Sequence, residues 1–62
     1  PNPAVFTLAV ERLGMPAGDC VMVDDKPENC DGAEVAGLAS ILHTSNAQTV
    51  AAVQAWLEAA HA

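Results

Sequence analysis

Aromatic residues are nearly missing from this sequence, which has one Phe, one Trp and no Tyr. Basic residues are also scarce: Arg12 and Lys26 stand against eight Asp and Glu, giving a formal net charge of −6. Two dispersed cations cannot form the phosphate-tracking patch that nucleic-acid binding needs. Nor can they hold the chain to an anionic membrane by charge. No nucleic acid and no membrane is therefore expected as a partner, and an anionic substrate would need a bridging cation. No apolar run approaches the roughly 20 residues of a membrane span. The opening Pro1-Asn2-Pro3 lacks the basic head and apolar stretch of a signal peptide. The only cysteines, Cys20 and Cys30, form no C-x-x-C pair, so neither a disulfide framework nor a zinc site is indicated. They read as small buried thiols, which suits a reducing, cytoplasmic setting.

A chain of 62 residues is short for independent folding, hiding only about 60% of the surface its unfolded form exposes. Its first residue is Pro1 and not methionine. Together these features lead us to expect a piece of something longer.

The periodicity predicts three helices and two strands. Asn2 is placed to cap a helix whose first position suits Pro3. Phe6, Ala9, Val10 and Leu13 recur on one face of it, and Gly14 with Pro16 beyond stops it. Cys20-Val21-Met22-Val23 is continuously apolar, as in a parallel strand covered on both faces. Pro27 opens a second helix running from about Glu28 to Ala36 and ending at Gly37. Its Gly32-Ala33 patch permits close approach to a sheet. Ala39-Ser40-Ile41-Leu42 reads as a second buried strand. Ser45 and Gln48 have capping-box spacing, and Val50, Val53, Leu57 and Ala60, with Trp56 beside them, form the stripe of a closing helix. Helix-strand-helix-strand-helix argues for an α/β fold with parallel strands. Two such strands make a poor free-standing sheet, because each keeps an unpaired apolar edge. The segment is expected to be incomplete as a sheet.

Asp24 and Asp25 follow the first strand, and open α/β sheets bind ligands beyond the carboxyl ends of their strands. Adjacent carboxylates repel unless a cation sits between them. Mg²⁺, which prefers carboxylate and water oxygens, suits the place. The bland alternative makes Asp25 a cap for the following helix and Asp24 a solvated neighbour. An EF-hand fails, because neither the ligand spacing nor the turn glycine is present. His43, at the exit of the second strand, could line a site but reads first as a surface or core residue. His61 lies near the terminus, and Met15 and Met22 read as packing residues.

The run from Val21-Met22-Val23-Asp24-Asp25 through Asn29, Gly32-Ala33 and Ala36-Gly37-Leu38 resembles the fourth motif of haloacid dehalogenase-like hydrolases. The opening Pro1-Asn2-Pro3-Ala4-Val5-Phe6, with Leu8-Ala9 and Arg12-Leu13-Gly14, is similar to the segment after that family's third-motif lysine. Ile41-Leu42-His43-Thr44 resembles its fifth strand and exit. The resemblance implies that residues 1–62 are the C-terminal part of a single Rossmann-like core, with the cap and N-terminal motifs absent. It implies Asp25 as a direct Mg²⁺ ligand, Asp24 as binding the metal or one of its waters, and Asn29 as standing behind the metal or organising the loop.

No Asp-x-Asp occurs in the sequence, so the nucleophile of the implied phosphoryl transfer is absent, and no catalytic residue is assigned to this chain. The lysine should immediately precede Pro1. The missing N-terminal part of the domain and a small phosphorylated substrate are therefore the expected partners. Asp24 and Asp25, where dehalogenating relatives usually carry serines and an asparagine, tilt the parent towards a phosphatase or phosphomutase. Two other readings compete. One is a non-catalytic binding or scaffolding module of the same fold. The other is a receiver-like domain, disfavoured because its acidic pair would follow the first strand near the chain start.

Overall fold

The computed structural model describes residues 2–61; the part of the opening motif that falls on Pro1 lies outside them. The order is α1 (Pro3–Leu13), a single 3-10 turn (Ala17–Asp19), β1 (Val21–Asp24), α2 (Pro27–Val35), β2 (Ala39–Leu42) and α3 (Asn46–Ala60). Each helix start follows from its first residues. The Asn2 side chain accepts the Ala4 N–H at 3.0 Å ahead of Pro3, and Ser45 Oγ accepts the Gln48 N–H at 3.2 Å. The Gln48 side chain does not close the capping box, because it takes the Thr44 hydroxyl instead.

The stops are as local as the starts. Gly14 adopts φ 69°, ψ 25° and donates its N–H to Val10 C=O. At the end of α2, Leu38 N–H reaches Ala33 C=O and Gly37 N–H reaches Glu34 C=O, each at 3.0 Å. This is the paired closure that a glycine with positive φ permits, and Gly37 has φ 93°.

β1 and β2 form a two-stranded parallel sheet with Val21 opposite Ala39 and Asp24 opposite Leu42. It is the incomplete α/β sheet the sequence predicts, since each strand pairs on one side alone among the described residues. β1 begins one residue later than expected, because the Cys20 N–H closes the 3-10 turn on Ala17 C=O. At the other end Asp24 pairs with Leu42, so it is the last residue of the strand and not the first after it.

α2 packs across both strands and against α1, while α3 packs on β2. Cys20, Cys30 and Ala33 are the buried apolar side chains, both thiols are free, and Gly32 is buried beside Ala33. The small-residue patch does bring α2 close to the sheet.

Three packing expectations need correction. The strands are not covered on both faces: Val23 is 42% and Leu42 45% exposed, and alternation puts these two on opposite faces. The described residues supply too few elements to cover them. On α1 the half-buried line is Pro3, Phe6 and Val10, whereas Ala9 and Leu13 are exposed. On α3 the half-buried stripe is Thr49, Ala52, Val53 and Trp56, with Val50, Leu57 and Ala60 exposed. The helix is turned so that its largest apolar side chain packs and Thr49 meets β2's exit.

Candidate functional site

β1 delivers Asp24 and Asp25 to its carboxyl end, and the loop that follows gives the two acids different surroundings. Asp24 is half-buried and engaged at three atoms. Its Oδ1 accepts the Lys26 N–H at 2.9 Å, Oδ2 accepts an Asn29 Nδ2–H at 2.9 Å, and its C=O accepts the His43 N–H at 2.7 Å. The Cys30 thiol approaches the same carbonyl at 3.8 Å.

The Asp24 carboxyl is held below the usual carboxylate range. The Lys26 backbone N–H contributes most, the Asn29 amide next, and partial burial opposes them. Asp25, by contrast, is exposed, and its side chain and backbone N–H add smaller hydrogen-bond contributions that also lower the Asp24 pKa. Asp24 is thus a fixed, ionised anchor, while Asp25 is the more exposed of the two.

The local capping pattern differs from the bland alternative. The helix-start bond is made by Asp24, whose side chain turns back to the Lys26 N–H two residues on. Lys26, the cap position of α2, makes no side-chain cap bond. Asp25 is no cap.

Asn29 lies in the first turn of α2, and its amide is spent on Asp24. The structure therefore brings Asp24, Asn29 and the Lys26 backbone together and leaves Asp25 beside them. Lys26 itself is exposed in the loop. His61, at the end of α3, binds Leu57 C=O through Nδ1 and stays outside the loop.

His43, read from sequence first as a surface or core residue, is half-buried and packs against α3. Its ring Nδ1 lies 2.6 Å from Thr49 Oγ1, and its N–H extends the parallel ladder to Asp24. The signal was the position one residue beyond a parallel strand, which becomes meaningful only once the register is known.

Two carboxylates offer hard oxygen donors of the kind Mg²⁺ accepts. Among the described residues, no group of three or more His, Cys, Asp or Glu is placed to hold a metal. The pair therefore fits part of a coordination shell, with further ligands required from water or other protein groups. The recess lined by Met15, Asp19, Trp56, Leu57, Ala60 and His61 contains no residue of the acid loop.

A protein-family model described as HAD-hydrolase-like matches residues 1–62, the whole chain. No curated protein matches it. The chain belongs to the HAD-like hydrolase family.

Proposed function

We propose that this member of the HAD-like hydrolases is the metal-binding C-terminal segment of a Mg²⁺-dependent phosphatase domain acting on a small phosphorylated metabolite. The observation that carries the reading is the division of labour between the two acids. Asp24 has both carboxylate oxygens spent on the loop, whereas Asp25 follows the carboxyl end of β1 with its side chain exposed.

In this reading Asp25 is the direct ligand. Asp24, too engaged to move, holds a metal-bound water and fixes the backbone from which Asp25 projects. Asn29 keeps Asp24 in place and touches no substrate. Bound Mg²⁺ supplies charge neutralisation for a transferring phosphoryl group. The acids of this chain do electrostatic work, and proton transfer is left to other groups. The attacking aspartate and the remaining ligands belong to the N-terminal part of the same domain. Two buried free thiols fit the reducing cytoplasm in which we place the protein.

The test is Mg²⁺ titration and phosphomonoester hydrolysis by the full-length protein and its Asp25→Asn variant. Loss of both Mg²⁺ affinity and turnover, with the fold retained, is expected. Unchanged Mg²⁺ affinity in the variant would remove the basis of the proposal.

A further inference from the structure

Asp24 C=O accepts the His43 N–H at 2.7 Å, a bond that carries the β1–β2 ladder one step beyond Leu42. That bond is the first half of the next parallel pair, the one that sets His43 opposite Asp25. The second half is missing because the Lys26 N–H has turned back to the Asp24 side chain. His43, one residue past β2, is thus level with Asp25.

Its ring is not free to wander. Nδ1 is tied to Thr49 Oγ1 at 2.6 Å, and both residues are half-buried. A Thr hydroxyl can donate to Nδ1, and in that arrangement the ring's own proton sits on Nε2. Nε2 makes no hydrogen bond among the described residues, where no buried side-chain nitrogen or oxygen lacks a partner, so Nε2 reaches solvent.

Donors are scarce at this end of the sheet. Lys26 supplies the loop's single cationic side chain, and one N–H of the Asn29 amide is committed to Asp24. Arg12 belongs to α1 and not to this loop. A chain with a net charge of −6 needs such groups to receive an oxyanion.

We infer that His43 is a substrate-contacting residue of the proposed site, with Nε2–H donating to an anionic oxygen of the phosphorylated substrate held beside Asp25. Thr49 is the positioning residue that fixes the tautomer. The inference rests on the metal-site reading above and adds a specific contact to it.

The experiment uses the full-length protein with p-nitrophenyl phosphate as substrate and inorganic phosphate as competitive probe. His43→Leu should raise KM and the phosphate inhibition constant about tenfold, the worth of one hydrogen bond to a charged group. kcat and Mg²⁺ affinity should change little. His43→Gln, which keeps a donor near the Nε2 position, should recover part of the loss. Thr49→Val should give a smaller KM increase and move the ring ¹⁵N shifts towards a tautomer mixture.

A His43→Leu variant that folds, binds Mg²⁺ and keeps both constants would overturn the assignment and leave His43 a latch between β2 and α3. If Asp25→Asn keeps its Mg²⁺ affinity, the underlying site falls and this contact falls with it. The two failures are read from different variants and so are distinguishable.

Discussion

Gly37 sets the angle at which β2 leaves α2, and the cost of an alanine there can be worked from its surroundings. Its φ is 93°, well beyond the left-handed helical value of about 57°, and an L-residue pays about 1–2 kcal/mol even at that value. A Cβ would also lie 3.3 Å from the Ala17 Cβ, a tight contact with a side chain in the 3-10 turn. Gly37→Ala should therefore cost about 2–3 kcal/mol, at the upper end of what strained backbone positions carry. Gly14 separates the two contributions. It has φ 69°, and a Cβ there meets nothing within 4 Å, so Gly14→Ala should cost only about 1 kcal/mol. Gly18 is the control. It has neither a positive φ nor a neighbour within 4 Å, and Gly18→Ala should be stabilising by about 0.4–1 kcal/mol through the unfolded chain. The assay is urea unfolding of the full-length protein, with midpoints and slopes fitted for each variant. Adding Ala17→Gly to Gly37→Ala should recover the steric part alone, giving a coupling of about 0.5–1 kcal/mol. Equal costs at Gly37 and Gly14, or zero coupling between positions 17 and 37, would refute the reasoning.

Three further outcomes are expected. Asn29→Leu removes the amide from Asp24 Oδ2, so Mg²⁺ affinity by calorimetry should fall while secondary structure by circular dichroism is kept. Unchanged affinity would reduce Asn29 to an ordinary first-turn residue. Asp24 has a folded pKa below its ordinary value of 3.8; its contribution to stability is present above that value and is lost as pH falls through the folded pKa. Denaturant midpoints of the wild type should thus drop more steeply below pH 3.8 than those of Asp24→Asn. The isolated 62-residue chain buries only small side chains and leaves Val5, Leu13 and Val35 more than 60% exposed. At micromolar concentration it should show no cooperative thermal transition in circular dichroism, and a sharp one would contradict this account of its core.

What the sequence disclosed was whatever is decided within a few residues. Asn2 before Pro3, Gly14, Gly37 and Ser45 each act on backbone groups no more than five positions away, and each does so in the structure. The element order and the pairing of β1 with β2 followed from these stops and from two short apolar runs. What escaped was decided across elements. The face of α3 could not be chosen by apolar spacing alone, because a polar residue, Thr49, is drawn inward by His43. The 3-10 turn at Ala17–Asp19 has too few residues to show a period, yet it shifts β1 and supplies the wall that Gly37 must clear.

The acid pair shows both limits at once. Its position at a strand end was legible, but two identical side chains in adjacent positions carry no sign of which is tied into the loop and which is exposed. That difference comes from three partners at separations of two, five and nineteen residues: the Lys26 N–H, the Asn29 amide and the His43 N–H. The last belongs to the strand register, so the same backbone bond that completes the sheet also fixes the Asp24 backbone beneath Asp25. A mutation that slides β2 should therefore disturb Mg²⁺ binding without touching either carboxylate, which makes Gly37→Ala a probe of the site as well as of the fold.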